Sequence, residues 1–272
     1  GWLKFSHSLV SGYVVAAFFV MGISAYHLLK KTNTAFFKRS FKMAAAFGLM
    51  SSLLVFIVGD FHAAMVARTQ PTKFAAMESV WDTQKAVPYN FLVIPDVKNE
   101  RNTVSELVIP KLLSLLAFHD GDAEIKGLKE FSKEDRPPVL ATFLSFRGMA
   151  ALGMLFMLLT LAGYVISKRD RLESNPLFLR IMLYALPLPY IAAQLGWLVA
   201  EVGRQPWIVY GVLRTSDAVS KSVTAAQVWT SLIGFTVFYG MLGLIDIYLL
   251  AKYSKKGPDD DLSAIIKSPR EV

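Results

Sequence analysis

Four stretches of the chain carry redox- and proton-active side chains at one end of long apolar runs. His7 opens the first run, Met149 stands two residues after Arg147 at the start of the third, and Glu201 closes the fourth. Trp197 lies one turn before Glu201, and Arg204 three residues after it. Ionisable groups in membrane-length apolar segments are costly, and function is the default reason for keeping them. An imidazole and a thioether together are a known axial pair for low-spin haem iron, which then carries electrons and has no open position for oxygen. The chain contains no cysteine, so thiolate zinc sites, iron–sulfur clusters, disulfides and thiol nucleophiles are excluded. A metal or haem has to be held by His, Met or carboxylate. Plainer roles suit the same residues: an interfacial histidine, a packing methionine, and a Glu201–Arg204 surface pair. His62, just past Asp60, shares the depth of His7, and spacing does not choose between them.

A second group of residues lies between the apolar runs. Pro71 suits the first turn of a helix, after which Phe74, Met77, Glu78 and Trp81 fall at i, i+3, i+4 and i+7, on one face. A carboxylate inside an aromatic stripe at a membrane surface is unusual, and the plainer reading is a snorkelling acid on an amphipathic surface helix. Further on, the string Gly203-Arg204-Gln205-Pro206-Trp207 sets a guanidinium beside an aromatic ring and a proline turn. That fork matches carboxylates, including haem propionates. A turn with an interfacial tryptophan is the plainer reading.

The elements that must position these groups are membrane helices. The 272 residues are 54% apolar and 18% charged, against roughly 45–50% and ~25% in soluble chains. That balance excludes a soluble globular enzyme, a disordered chain and a nucleic-acid binder. Ser8–Leu29, Gly148–Ser167, Ile181–Ala200 and Ser222–Ile245 are uncharged, and Met43–Gly59 continues past Asp60 to Ala67. About 20 apolar residues cross the hydrocarbon of a bilayer, and backbone groups in lipid must be satisfied within their own segment. The expected fold is therefore an all-α polytopic membrane protein with five transmembrane helices and one long extracytoplasmic loop between helices two and three. Residues 1–67 hold the first two helices, 68–140 the loop, 141–251 the last three helices and 252–272 a cytoplasmic tail.

Charge orients the spans. The first connection carries Lys30, Lys31, Lys38, Arg39 and Lys42 without an acid. Together with residues 168–180 and the tail, it accounts for the whole net charge of +8. Alternation puts these segments on one side, so the positive-inside rule places the N-terminus outside and the C-terminus in the cytoplasm. The loop, by contrast, holds 10 bases and 11 acids. Its Phe74, Met77, Trp81, Tyr89, Phe91 and Phe118 argue that part of it is ordered. A connection this long is usually functional or disordered.

Taken together, the strings resemble subunit I of the cytochrome bd-type quinol oxidases. They are Phe5-Ser6-His7, Ser11-Gly12-Tyr13-Val14, Lys38-Arg39-Ser40-Phe41, Gly59-Asp60, Lys73-Phe74-Ala75-Ala76-Met77-Glu78, Phe146-Arg147-Gly148-Met149 and Pro187-Leu188-Pro189. The last is Gly196-Trp197 through Glu201 to Gly203-Arg204-Gln205-Pro206-Trp207. The resemblance covers nearly the whole chain but only the C-terminal part of the family's subunit.

The resemblance implies that His7 and Met149 are axial ligands of a low-spin haem b, with Arg147 beside it. It implies Glu201 as the ligand of a high-spin haem b, Trp197 as the aromatic between haems, and Arg204 and Trp207 as further haem-binding residues. Lys73 and Glu78 are implied as the quinol-site pair, with Glu78 accepting a proton as quinol is oxidised. Proton release on the outer face is also implied. A third haem, haem d or a further haem b, is expected to be shared with a partner chain. The family's four earlier spans are absent here. The expected partners are thus a polypeptide carrying those spans, subunit II, small single-span subunits and membrane quinol, in a prokaryotic cytoplasmic membrane. Gly1 is compatible with a naturally short polypeptide of a divided subunit and equally with a fragment. The competing expectation is a haem-free assembly or structural subunit of such a complex.

Overall fold

The computed structural model describes residues 1–258; most of the tail that the charge pattern assigns to the cytoplasm lies outside the described residues. The chain begins with α1 (Trp2–Leu29) and α2 (Thr34–Thr69), joined by a short turn in which Lys31 and Asn33 adopt positive φ. At 1.5 Å per residue α2 is roughly 54 Å long, well beyond the hydrocarbon thickness. Asp60 and His62 therefore sit on a rigid rod rather than in a loop. Three further helical spans follow: α5 (Val139–Lys168), the pair α6 (Pro176–Ala185) and α7 (Leu188–Glu201), and α8 (Ala225–Lys256). Among the described residues, five segments are long and apolar enough to cross a membrane.

The fourth span is broken, whereas the sequence suggests one continuous helix over 181–200. Pro187 and Pro189 lack the backbone N–H that an unbroken helix needs, and α6 and α7 meet at Leu186–Pro187. The span also starts earlier, at Pro176.

Between α2 and α5 the chain folds into a small mixed unit. It comprises α3 (Pro71–Glu78), β1 (Gln84–Lys85), β2 (Tyr89–Asp96), β3 (Arg101–Ile109), α4 (Leu112–Phe118) and β4 (Glu124–Ile125). β2 and β3 form an antiparallel hairpin with Tyr89 opposite Ile109 and Asp96 opposite Arg101, and β1 pairs with β4. A third ribbon, β5 (Trp207–Val209) with β6 (Leu213–Arg214), follows α7. The sequence does not announce these strands: β1, β4, β5 and β6 are two or three residues long, and β2 and β3 lack clean alternation. α3 begins at Pro71 as expected but stops at Glu78, where Ser79 turns left-handed (φ 55°). Trp81 therefore lies beyond the helix.

Two cores result. The larger joins Phe18 and Met21 of α1, Phe41 of α2, Phe156 of α5 and Met182 of α6. The second surrounds α3 itself, with Phe74, Met77 and Trp81 packed on Leu113, Leu128 and Val199. α3 is thus buried on every side from Thr72 to Glu78, and the reading of an amphipathic surface helix with a snorkelling acid does not hold.

Small residues let the membrane helices approach, as expected where packing rather than water drives association. A Cβ at Gly48 of α2 would stand 3.0 Å from both Ala17 of α1 and Thr160 of α5. Gly48→Leu is therefore expected to lower the thermal unfolding midpoint in detergent, with an overpacking cost of about 1–3 kcal/mol. Gly153→Leu, where a Cβ meets nothing within 4 Å, should leave that midpoint unchanged.

Candidate functional site

The candidate residues gather at the end of the helical bundle that carries the 70–138 unit. His7 sits in the second turn of α1 against α2. Its Cε1 is 3.2 Å from the position a Cβ on Gly59 would take, and its ring meets that of His62 edge-on at 5.7 Å. The Nδ1 atom of His7 is buried without a hydrogen-bond partner. Across the bundle, Met149 of α5 faces α7, its Sδ 3.0 Å from the Cβ position of Gly196. Gly59 and Gly196 each leave open the volume that a larger residue would take from the histidine or the methionine.

Arg147, one helical step before Gly148-Met149, is the hub of the site. Its Nη2 donates to Glu78 Oε2 at 2.6 Å and its Nη1 to the Asn90 carbonyl at 2.8 Å. The guanidinium lies 4.5 Å from the Tyr89 ring centre and 5.4 Å from that of Phe143. The charge therefore sits between two aromatic faces, an arrangement favourable to a cation. Glu78 is only 4% exposed in its side chain. Burial raises its pKa to about 7, against the opposing charge and hydrogen bond of Arg147. At neutral pH this carboxyl is poised between its two forms, which is what an acid–base group near pH 7 requires. Burial, joined by the Glu78 charge, also raises the phenol of Tyr89.

Lys73 leaves α3 in another direction. Its Cε lies 3.3 Å from the Cβ position of Gly203, next to the end of α7. Burial first, then the charges of Lys4 and Arg204, lower its pKa to about 8, with Glu201 opposing. The structure therefore separates Lys73 and Glu78: the lysine faces the Glu201–Arg204 corner and the acid faces Arg147. Glu201 and Arg204 form an ion pair one turn apart at the end of α7, and the Arg204 Nε is buried without a partner. Trp197 is 60% exposed. Trp207 lies in β5 under the guanidinium of Arg214, which in turn pairs with Asp135 at 2.6 Å. Thr72 and Tyr210 share a 2.8 Å hydrogen bond that ties α3 to the ribbon after α7.

These donors fit a porphyrin iron in their chemistry. The Nδ1 of His7 and the Nε of Arg204 are buried and unanswered. Glycines flank the imidazole and the thioether. Orphaned buried polar atoms are few in folded proteins and call for an explanation. Tyr89, Asn90 and Asn102 belong to this site and were missed by sequence reasoning. Their signal is weak, since Asn90 acts through its backbone carbonyl and Asn102 lies in a strand without clean alternation.

A protein-family description, Cytochrome bd terminal oxidase subunit I, matches residues 1–258. The chain belongs to that family. It is 36% identical over 270 residues to the cytochrome bd ubiquinol oxidase subunit 1 of Bacillus subtilis (strain 168), covering 96% of this chain and 58% of that protein. It is 31% identical to the cytochrome bd-II ubiquinol oxidase subunit 1 of Escherichia coli (strain K12), covering 94% and 62%. The fold matches the bd oxidase of Geobacillus thermodenitrificans with a TM-score of 0.81 at 28% identity, covering 94% of this chain and 58% of that one. The chain thus spans about three fifths of the length of these relatives.

The opposing influences on Glu78 give a direct test. Arg147→Gln removes the charge that favours the carboxylate, so the group should stay protonated to higher pH. In a pH series of infrared spectra, the carboxylic acid band that Glu78→Gln abolishes is expected to vanish near pH 7 in the parent. In the Arg147→Gln variant it should persist to more alkaline pH.

Proposed function

We propose that this chain is the haem-bearing, quinol-oxidising part of a cytochrome bd-type terminal oxidase. The carrying observation is the buried Glu78–Arg147 pair, 2.6 Å across. It joins a carboxyl poised near neutrality to the helix that presents Met149. Oxidation of a quinol to a quinone removes two electrons and two protons, so the site needs a proton acceptor beside an electron acceptor. His7 and Met149 would hold a low-spin haem b, with Arg147 beside it, and Glu201 would hold a high-spin haem b. Trp197, Arg204 and Trp207 would line these groups, and a third haem, haem d or a further haem b, would be shared with a partner chain. When bound, the haems supply one-electron acceptors for quinol and the site that reduces oxygen to water.

The chain's own residues do the proton work. Glu78 in its ionised form takes a proton from the quinol hydroxyl, and Arg147 holds the carboxylate in place and limits the rise in its pKa. A proton-acceptor role of this kind contributes about 10²–10⁴-fold to a rate. Lys73, a cation with its charge partly suppressed by burial, polarises or orients the quinol head group. The charge pattern supports an orientation in which the 70–138 unit and the N-terminus lie outside and the C-terminus lies in the cytoplasm. Protons given up by quinol would then be released outside a prokaryotic cytoplasmic membrane. The partners are a polypeptide supplying the earlier spans of subunit I, subunit II, small single-span subunits and membrane quinol.

In the assembled oxidase, Glu78→Gln is expected to lower quinol turnover by about 10²-fold or more with haem content unchanged by pyridine haemochrome. Equal turnover would remove the proton-acceptor role. His7→Ala is expected to abolish the low-spin haem absorption of the reduced complex, and an intact band would overturn the ligand assignment. A complex devoid of haem would instead establish an assembly role.

A further inference from the structure

A polar cavity of about 300 Å³ opens beside Glu78, between the C-terminal end of α3 and the β2–β3 hairpin. Glu78, Arg147, Asn90, Asn102, Gln84 and Ser105 line it. Asn90 and Arg147, which both line it, each keep one buried side-chain atom without a protein partner, the Oδ1 of Asn90 and the Nε of Arg147. A cavity with this many polar side chains is one that water enters, and its volume holds on the order of ten water molecules. Its lining also includes Asp82, whose carboxylate accepts from Lys129 Nζ at 2.8 Å, and Arg101, 4.0 Å from Asp96, each with a side chain 70% exposed. The lining therefore includes both a buried carboxyl and charged, solvated side chains.

Asn102 fixes the wall between them. Its Oδ1 accepts from Ser79 Oγ at 2.7 Å and from Trp81 Nε1 at 3.0 Å, while its Nδ2 donates to the Ser79 carbonyl at 3.0 Å. These three bonds clamp β3 to the residue that immediately follows Glu78, so the hairpin and the carboxyl keep a fixed relation. Arg147 and Tyr89 are the other ionisable groups facing Glu78.

We propose that this cavity is the proton outlet of the quinol site, a water-filled passage from Glu78 to the solvated surface at Asp82 and Arg101. The proposal rests on the reading of Glu78 as the acceptor of the quinol proton. The step is a proton transfer only. The O–H bond of the Glu78 carboxylic acid breaks, a new O–H bond forms to a cavity water, and the restored carboxylate pairs again with Arg147. Chains of water carry the charge to the mouth. Quinol itself, with its apolar tail, would have to approach from lipid and not through a mouth flanked by Asp82 and Arg101.

The test is made in the assembled oxidase reconstituted into phospholipid vesicles with a short-chain quinol. Asn90→Leu keeps the backbone carbonyl that Arg147 uses but removes the orphaned acceptor and fills part of the cavity with an apolar side chain. The expected result is a fall in kcat of about tenfold or more, a larger solvent deuterium isotope effect, and an unchanged KM for quinol. A raised KM with kcat intact would mean that quinol occupies the cavity, and wild-type kinetics would mean that the cavity is idle; either overturns the outlet. Should Asn90→Leu fail to assemble, Asp82→Asn at the exposed mouth is expected to give the same signature, with Asp82→Glu restoring the parent rate. Wild-type kinetics in Asp82→Asn would overturn the proposal. Glu78→Gln separates the two readings. If it retains full turnover, the quinol-site assignment fails; if it loses turnover while Asn90→Leu does not, only the outlet fails.

Discussion

A carboxylate and a guanidinium, both withdrawn from water and 2.6 Å apart, organise this end of the protein. The attraction within such a pair offsets the cost of withdrawing both groups from water only when its geometry is held. The Glu78–Arg147 contact therefore fixes where α3 lies relative to α5. Everything around it conforms: Tyr89 stacks on the guanidinium, the Asn90 carbonyl takes its second donor, and Asn102 clamps the turn that follows the acid. Burial pulls the carboxyl towards its neutral form and Arg147 pulls it back. The balance near neutrality is a property of that geometry, not of glutamate as such.

α3 works as a wedge between two polar corners. A helix rotates by 100° per residue, so Lys73 and Glu78, five positions apart, cannot point the same way. One reaches the Glu201–Arg204 corner at the end of α7 and the other reaches Arg147 on α5. α3 thus presents opposite charges to neighbouring corners while its own apolar side chains fill the core around it.

The membrane helices were legible in the sequence because uncharged runs of span length permit little else. The start of α3 was legible from Pro71. Its burial was not, because Phe74, Met77 and Trp81 suit a surface stripe as well as a core, and only α4, the 128–130 turn and α7 decide between them. The break in the fourth span is foreshadowed by Pro187 and Pro189, but prolines inside a membrane helix do not by themselves fix a break, because neighbouring helices can answer the freed carbonyls. The β2 and β3 strands of the 70–138 unit are held by their backbone ladder, and no clean alternation of apolar and polar residues marks them in the sequence. The ion pair at the centre joins positions 69 residues apart, a relation that no local rule recovers. At the C-terminal end of α1 the His27 ring stacks on Phe37 at 4.0 Å, and its Nε2 donates to the Ser254 carbonyl at 2.7 Å.

That last bond anchors the C-terminal end of α8, a helix of 32 residues with no buried side chain. Within this polypeptide α8 is a mast stepped at its foot and unstayed along its length. Aromatic and aliphatic groups surround it on all sides, so its apolar girth adds nothing to the interior of the chain that encodes it. Its upright posture is owed to whatever medium or neighbour surrounds it.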